Sequence, residues 1–512
     1  MSNRAFAVPR RLLRRPARFA GDHPDLVLLV GLLALAAIAR AVFLFRAPVF
    51  LRHDSVTYFQ TGYELVRGSG FELPLRRTPL YPLFIAAVIW VFGEDLHAVA
   101  FVQHLLGLVT VAVSYLLGKA LFGRVAGVVA GLLSALSAPL LIHEHYVLAE
   151  PLFTPLLGLG LLLTVHALQG GRARLYVVGG VLLALGALAR PIAQALLPVV
   201  LLAILVHHRG LRPALKPMLL AVAGFALVLL PWTVRGALAT GRVGSAGALG
   251  QTLIDRVTRH DESLVLPHPD SPSRQEDPTA VAVRRLILTQ GGRDARPSAI
   301  NHRVRTQFGL SEAEANAAML DVALEVIWSQ PERYFWGSLA KFRRIMVGED
   351  ERLRAHWASR RDGELRETWQ AEASIAHLWV PPNAAEERAS PTAEALTRLF
   401  QPYRWLASLS VLIALGLALG LVRGPRGPTV LLLLTVVALV LPSAALVGQV
   451  PRYRYPADPL LGVLAGGGVV ALGLLMRAAL ERVRRVRAEE GTRNRAVMES
   501  PHPSPLPEGE GA

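Results

Sequence analysis

Long apolar runs dominate this chain, and each is close to the length that a helix needs to cross a lipid bilayer. The hydrocarbon core of a bilayer is about 30 Å thick and takes about 20 mostly apolar helical residues. Runs such as 26–46 and 97–117 meet that length. A bilayer offers no hydrogen-bond partner to a backbone N–H or C=O, so a set of such runs folds as helices. Because 52% of the residues are hydrophobic, we predict an all-α polytopic membrane protein.

Basic residues at the ends of the runs indicate how the helices are oriented. Arg and Lys are enriched in cytoplasmic loops, and an arginine-rich segment precedes the first run. Its members are Arg4, Arg10, Arg11, Arg14, Arg15 and Arg18. The first run is too long for the apolar part of a signal peptide, so we predict an uncleaved span with a cytoplasmic N-terminus. The same rule gives spans at 26–46, 97–117, 125–142, 147–168, 175–189, 192–206, 217–234, 406–422, 430–447 and 459–476.

One further segment, 79–92, is apolar but has only about 14 residues, which is short for a span. If it crossed the bilayer, the basic residues Lys119 and Arg124 would face the outside. We therefore predict a re-entrant or interfacial element. The alternative is a short span, with one other span miscounted. The total is about 10–11 transmembrane helices.

The runs also divide the chain into regions. These are a basic cytoplasmic N-terminus (1–25), an N-terminal membrane module (26–234) with a first outer loop (47–96), a mostly α module on the outer face (235–400), C-terminal membrane helices (401–477) and a basic, then disordered, cytoplasmic tail (478–512). The last residues, 499–512, have the low-complexity composition that is typical of disorder.

Helix signals occur within the outer module. Ser311 with Glu314, and Ser329 with Glu332, have the spacing of a capping box at a helix N-terminus. An apolar stripe at helical spacing predicts a helix that packs on its neighbours. The stripe consists of Val322, Ala323, Val326 and Ile327.

The net charge of +16 would indicate nucleic-acid binding in a soluble protein. In a membrane protein, basic residues instead mark cytoplasmic loops and meet anionic lipid headgroups. We therefore predict membrane lipid, and no nucleic acid, as a partner. The chain contains no cysteine, which excludes a disulfide framework, a thiolate metal site and a cysteine nucleophile.

Asp54 and Tyr58 follow the first span. A carboxylate shielded from bulk water at a membrane surface has its pKa raised toward neutrality, which suits a general base. The alternative is that Asp54 caps a helix or a turn. Tyr58 comes one helical turn after Asp54 and is predicted to share its face.

Arginines at the outer ends of the spans, most of them near tyrosines, form a second group of candidates. They are Arg76 and Arg77 before Tyr81, Arg190 before Pro191, and Arg452 and Arg454 alternating with Tyr453 and Tyr455. The forked guanidinium group suits a phosphate. The positive-inside rule disfavours basic residues outside, so these are candidates for binding an anionic ligand. The alternatives are interfacial anchoring for Arg76 and Arg77 and the aromatic belt for Tyr81.

A third group, between two spans, contains His143, Glu144, His145 and Glu150. The two histidines could ligate a metal in an extended segment, but this ligand set is too small to name one. We favour a second carboxylate opposite Asp54, although Glu150 could instead cap the helix that follows it. We predict no cofactor and leave a divalent metal open.

Taken in order along the chain, these motifs resemble the GT-C superfamily of membrane glycosyltransferases. Within it, they are similar to the family 39-like group of protein O-mannosyltransferases, aminoarabinose transferases and galacturonosyltransferases. The matching residues are Asp54 and Tyr58, the segment 77–82, Glu150, Arg190 with Pro191, the segment 331–334 and the segment 452–456. Many members carry a longer acidic signature after the first span, where this chain has a single carboxylate.

The resemblance implies a GT-C-like helical bundle with a periplasmic module in the bacterial inner membrane. It also implies transfer of a sugar, with inversion, from a polyprenyl-phosphate donor of the undecaprenyl type to a lipid, glycan or protein acceptor. Asp54 would deprotonate the acceptor and Glu150 would position a hydroxyl. Arginines would bind the departing phosphate, the candidates being Arg77, Arg190, Arg452 and Arg454. The alternatives are a flippase for lipid-linked saccharides, a scaffold, and a glycan polymerase or ligase.

Overall fold

The computed structural model describes residues 22–71, 77–170, 172–240, 249–261, 263–270, 278–290, 297–347, 363–379, 395, 426–447 and 451–498. The predicted span 406–422, the N-terminal arginines, Arg76 and the tail 499–512 lie outside these residues. Within them, the regular structure is helical, and one parallel bridge joins Phe50 to Tyr146.

The described helices are numbered here in chain order. They are α1 (Pro24–Arg46), α2 (His53–Val66), α3 (Leu80–Phe92), α4 (Leu96–Phe122), α5 (Arg124–Ala135), α6 (Ala138–Glu144), α7 (Glu150–Gly170), α8 (Ala173–Ala189), α9 (Leu196–His208), α10 (Leu211–Thr240), α11 (Leu249–Thr258), α12 (Pro278–Gln290), α13 (Pro297–Phe308), α14 (Glu312–Ser329), α15 (Pro331–Val347), α16 (Gly363–Ala371), α17 (Arg426–Leu446) and α18 (Asp458–Met498). Short 3-10 helices lie at Pro191–Ala195, Ala376–Leu378 and Pro451–Ala457.

The protein is a multi-pass, all-α membrane protein, as predicted. Among the described residues, 7 helical segments are long and apolar enough to span a bilayer, and the count is 8 if the bent pair α5 and α6 is one span. The pair corresponds to the predicted span 125–142, and a bend of 51° separates its two helices. Two further apolar helices, α3 and α8, are shorter. Each predicted span within the described residues lies largely in one helix or, for 125–142 and 192–206, in two consecutive helical segments.

Ion pairs show that α1 and α4 run antiparallel. Asp25, at the start of α1, contacts Lys119 Nζ (2.7 Å) and Arg124 Nε (2.7 Å), at the end of α4 and the start of α5. Residues 47–95 therefore leave and re-enter the bundle at one end, which we call the Asp54 end. The helix α3 lies within this segment and packs on α2, where the Gly62 Cα faces Ile85. A Cβ on Gly62 would come within 2.6 Å of Ile85.

Helices α11 to α14 pack around a core of their own, which Tyr334 of α15 joins. The helix α16, which also falls within the predicted outer module, packs instead on α2, where the centroid of the Trp369 ring lies 5.7 Å from that of the Phe59 ring.

The capping box at Ser311 is confirmed, because Ser311 Oγ accepts from Glu314 N–H and Glu314 Oε2 accepts from Ser311 N–H. The predicted capping box at Ser329 is wrong. Ser329 is the last residue of α14, and its hydroxyl donates to the carbonyl of Val326.

The apolar stripe of α14 lies in the module core, as predicted, with three members fully buried and Ile327 partly buried. The module is fastened to the bundle through α15. Tyr334 donates its hydroxyl to the carbonyl of Ala445 near the end of α17 (2.8 Å). Ile345 and Met346, near the end of α15, belong to the main core of the membrane helices. The module therefore sits at the Asp54 end of the bundle.

Candidate active site

Asp54 lies in the first turn of α2, with its side chain 28% exposed. Its Oδ1 accepts from Arg77 Nη2 (2.5 Å), and its Oδ2 accepts from Arg452 Nη2 (2.6 Å). The capping of α2 is done by another residue, because the Ser55 hydroxyl accepts from the Arg52 N–H. Both carboxylate oxygens of Asp54 are therefore used by arginines rather than by the helix cap.

The charge state of Asp54 differs from the one predicted. Burial raises the pKa of Asp54, but the positive charges of Arg452 and Arg77 outweigh burial and hold that pKa well below its usual range. The predicted rise toward neutrality is wrong. It rested on desolvation alone, whereas two guanidinium groups stabilise the charged form.

Arg77 is held in place from two sides. Its Nε donates to the Thr57 hydroxyl (2.9 Å), and its guanidinium lies over the ring of Tyr58, 4.7 Å from the centroid. Tyr58 and Asp54 thus contact one arginine from the same face of α2, as predicted. The Tyr58 ring meets the Tyr81 ring edge-on at 4.9 Å, and Tyr81 is buried.

The 3-10 helix Pro451–Ala457 carries Arg452, the second arginine that bonds to Asp54. The ring of Tyr453, in the same segment, is shared by two guanidinium groups, with Arg452 at 5.4 Å and Arg190 at 5.3 Å from its centroid. Both guanidinium groups are within the distance of a cation–π contact, so the Tyr453 ring holds Arg190 and Arg452 beside each other.

Glu150 begins α7 and is almost fully buried. It forms an ion pair with Arg190, which follows the last residue of α8. Its Oε1 also lies 4.0 Å from Arg452 Nε. The end of α8 is tied to the site by Thr78, whose hydroxyl donates to the carbonyl of Ala189 (3.0 Å). Arg452 therefore stands between the carboxylates of Asp54 and Glu150.

Three residues predicted from the sequence, Arg454, Tyr455 and His143, do not contact Asp54. Arg454 donates through Nε to Asp458 (2.9 Å) and through Nη1 to the carbonyl of Met346 (3.1 Å), so it joins α15 to α18. Tyr455 is buried, with its ring centroid 3.4 Å from that of His143. These side chains pack behind the cluster of Asp54 and the arginines.

Glu144 and His145 also lie apart from Asp54, in a buried polar network. Glu144 accepts from Arg40 Nη2 (2.6 Å) and contacts His104 Nδ1 (2.9 Å). His104 Nε2 meets His145 Nδ1 (3.0 Å), and His145 Nε2 meets the carbonyl of Ala47 (3.0 Å). Within the described residues, no group of three His, Asp or Glu side chains is arranged to hold a metal ion.

Gln103 joins this network by donating to the carbonyl of Glu144 (2.9 Å). Three members of the network were not found from the sequence. Arg40, Gln103 and His104 are polar residues inside predicted spans and are buried. Their occurrence within apolar runs was the available signal, because polar groups inside a membrane require partners. The sequence does not reveal those partners, which come from other helices.

Taken together, the cluster contains two carboxylates and three guanidinium groups at the end of a membrane bundle. A phosphate that enters the cluster can replace the carboxylates as the partner of the guanidinium groups, because the forked donors fit phosphate oxygens equally well. A carboxylate released in this way can accept a proton from a hydroxyl.

Residues 76–234 match the family model described as dolichyl-phosphate-mannose-protein mannosyltransferase. The matched segment contains Arg77, Glu150 and Arg190. The resemblance to GT-C glycosyltransferases is confirmed over this segment. Asp54 and Arg452 lie outside it, so the match covers only part of the site. A comparison with curated proteins found no match.

Two solved structures with low sequence identity to this chain are similar to it. One is the oligosaccharyltransferase AglB from Archaeoglobus fulgidus, in complex with an inhibitory peptide and a dolichol-phosphate, with 15% identity and a TM-score of 0.45. The match covers 91% of this chain and 52% of AglB, so the chain spans about half the length of AglB. Another is ArnT from Cupriavidus metallidurans bound to undecaprenyl phosphate, with 14% identity, a TM-score of 0.38, and coverage of 87% of this chain and 78% of ArnT.

Proposed function

We propose that this protein is a membrane glycosyltransferase that moves a sugar from a polyprenyl-phosphate donor to an acceptor hydroxyl at its Asp54 end. The observation that carries the proposal is the position of Asp54 between Arg77 and Arg452. This arrangement pairs a base with a phosphate-binding site at one end of a membrane bundle. The family match over 76–234 supports a lipid-phosphate sugar as the donor class.

The proposed reaction is a single displacement with inversion. The acceptor oxygen attacks the anomeric carbon, and the bond from that carbon to the phosphate oxygen breaks with its electron pair. The acceptor proton passes to Asp54. Negative charge grows on the departing phosphate, where Arg77, Arg190 and Arg452 offset it. The products are the glycosylated acceptor and the polyprenyl phosphate.

Glu150 has a different role in this scheme. It is buried beside Arg190 and near Arg452, so it is less open to an acceptor than Asp54. We assign it the positioning of Arg190 and of a sugar hydroxyl. Arg454 and Tyr455 support the segment from behind, and His143, Glu144 and His145 belong to its buried surroundings.

The placement of the charges favours transfer over transport. A flippase requires polar groups along a path through the membrane. The described buried charges inside the spans, such as Arg40 and Glu144, bond to each other within the packed bundle. Arg40 is 6 residues from the end of α1, or about 9 Å at 1.5 Å per residue. These charges therefore lie near the Asp54 end.

The proposed reaction takes place at the periplasmic face of the membrane. The basic N-terminal segment supports a cytoplasmic N-terminus, which puts the Asp54 end at the periplasmic face of a bacterial inner membrane. The acceptor is then a lipid, a glycan or a protein on that face. A donor with a charged head and a long apolar tail stays in the bilayer, so its transferase must present cations and a base at the membrane surface.

The test uses the full chain purified into nanodiscs with a panel of radiolabelled polyprenyl-phosphate sugars and total membrane lipid, glycan or peptide as acceptor. Each reaction is run with and without a chelator, and wild type is compared with Asp54→Ala. Transfer by wild type that falls at least about a hundredfold in the variant supports the proposal. Equal transfer by both would remove Asp54 from the mechanism. ATP-independent flipping of the same donors without transfer would favour the flippase, and elongation of one glycan chain would favour a polymerase.

A further inference from the structure

The segments that carry Asp54 and Glu150 are joined by a backbone bridge. Phe50 donates its N–H to the carbonyl of His145 (3.0 Å), and Val147 donates its N–H to the carbonyl of Phe50 (3.2 Å). The bridge pairs Phe50 with Tyr146 in parallel. Asp54 is 4 residues after Phe50, and Glu150 is 4 residues after Tyr146. Both acids therefore lie at equal distances along the chain from a common hydrogen-bonded point.

One buried side chain of α4 holds this bridge. Gln103 is fully buried, and its Nε2 donates to two carbonyls, those of Glu144 (2.9 Å) and Tyr146 (2.7 Å). Its Oε1 accepts from the hydroxyl of Tyr81 (2.7 Å). Both amide hydrogens and the amide oxygen are thus used, and only one orientation of the amide satisfies all three partners.

Gln103 reaches toward each acid by a separate route. Through Oε1 it holds Tyr81, whose ring packs edge-on against Tyr58 beneath the guanidinium of Arg77. Arg77 in turn bonds to Asp54. The other route runs through Nε2 to Tyr146 and along the chain to Glu150.

We propose that Gln103 is a positioning residue that fixes the separation and orientation of Asp54 and Glu150 through the bridge between Phe50 and Tyr146. Gln103 does not touch substrate in this scheme. Reaction rates are sensitive to such placement, because a shift of about 1 Å at a reacting group can lower a rate about a hundredfold. The proposal rests on the proposed function for its effect on rate, but the link from Gln103 to the bridge does not.

The test compares Gln103→Met, which keeps the side-chain length and removes all three hydrogen bonds, with a control on the same helix. The control is Tyr115→Phe, which removes one partly buried hydroxyl bond to Asp25 (2.9 Å) at the opposite end of α4. If Gln103→Met does not fold, Gln103→Asn takes its place, because it keeps an amide but is one methylene too short to hold both bridge carbonyls. Hydrogen exchange measures the bridge directly in the full chain, and single-turnover kinetics measure transfer.

We expect faster amide exchange in segments 47–52 and 145–149 in Gln103→Met, by about tenfold, because two bridge hydrogen bonds open more often. We also expect the single-turnover rate to fall at least about tenfold while the KM for donor stays within about twofold. Tyr115→Phe should show neither change. A general loss of stability would instead speed exchange throughout the bundle.

Two results would overturn the proposal. Unchanged exchange in 47–52 and 145–149 would show that Gln103 does not hold the bridge. Faster exchange there with an unchanged single-turnover rate would show that the bridge does not place the acids. If wild type transfers no sugar from any donor, the proposed function fails and the effect on rate fails with it. The exchange data would still decide whether Gln103 holds the bridge, so the two failures are distinguishable.

Discussion

Asp54 and Arg452 form an ion pair of 2.6 Å although 398 residues of chain separate them. The pair brings the first outer loop against the segment that precedes the last membrane helix. A second acid, Glu150, contacts the same arginine from α7 at 4.0 Å. One guanidinium group thus connects three distant parts of the chain. A phosphate that binds the Arg452 guanidinium group would therefore weaken its contacts with both Asp54 and Glu150.

We expect Asp54→Asn to lower the rate of transfer without weakening the binding of the donor. The substitution removes the base and the negative charge that now occupies Arg77 and Arg452. The single-turnover rate should fall about 10²–10⁴-fold. Donor affinity should hold or increase, because the two guanidinium groups no longer need to leave a carboxylate. Equilibrium binding of a fluorescent polyprenyl phosphate, measured beside the rate, checks both effects. Loss of binding together with rate would mean that Asp54 holds the site together rather than acting as the base.

The two arginines of the 452–454 segment provide a matched pair of substitutions. Arg452→Lys removes the Nη2 contact with Asp54 and the forked contact available to an incoming phosphate, while it keeps the charge. We expect its KM for donor to rise about tenfold with little change in thermal stability. Arg454→Lys, two residues on, should lower stability, because Arg454 bonds to Asp458 and to α15, and should leave the KM unchanged. Nanodisc kinetics and thermal unfolding measure both. Equal KM values in the two variants would contradict the assignment of Arg452 to the phosphate.

The local part of the site could be predicted from the sequence, and the distant part could not. Asp54, Tyr58 and Arg77 lie within 24 residues, and helical spacing places the first two on one face. The contacts of Arg452 and Glu150 depend on how α7, α8 and the segment before α18 pack. The motif order indicated that these residues matter, but not that Arg452 would stand between two acids.

The mistaken predictions have specific physical causes. The pKa of Asp54 was predicted from burial, but charges from two other segments decide its direction. Arg452 and Arg454 have the same sequence surroundings, yet the 3-10 helix turns them toward different partners. Ser329 has the spacing of a cap but ends α14, because Pro331 starts the next helix. Sequence pattern gives the tendency of a residue, and the fold decides which partner it meets.

The lowered pKa of Asp54 predicts a difference between two pH profiles. In the free enzyme, Arg452 and Arg77 keep Asp54 ionised as the pH falls, so kcat/KM should show no acid limb from Asp54 between about pH 5 and 8. When donor phosphate takes those arginines, burial remains and the pKa of Asp54 rises. The acid limb of kcat should therefore lie at higher pH than that of kcat/KM. Profiles of wild type and Asp54→Glu test this. Coincident limbs in both quantities would mean that phosphate does not draw the arginines away.

The outer module should depend on one buried acid, Asp261. It accepts from Arg256 Nη1 (2.5 Å) and lies 3.1 Å from Lys341 Nζ, so Asp261→Asn would leave two cations facing each other. Burial raises the pKa of Asp261, but bonds from Ser263 and Arg256 outweigh burial and lower it. Its stabilising effect is therefore present above the unfolded pKa and is lost as the pH falls through the lowered folded value.

Removing one partner of such a buried pair costs about 3–5 kcal/mol, so we expect exchange in α11 and α15 to rise steeply in Asp261→Asn. The matched control is Asp270→Asn, whose pairing with Arg285 is exposed on both sides and is worth at most about 1 kcal/mol. Hydrogen exchange across the pH range in nanodiscs compares the two variants. The protection factor, which is exchange corrected for its intrinsic pH dependence, should fall at low pH in wild type. It should vary less with pH in Asp261→Asn, because the carboxyl between Arg256 and Lys341 is gone and only Asp255 still titrates in α11. Equal exchange in the two variants would show that Arg256 and Lys341 are stabilised by other contacts, such as the bond from Arg256 to the carbonyl of Ala444.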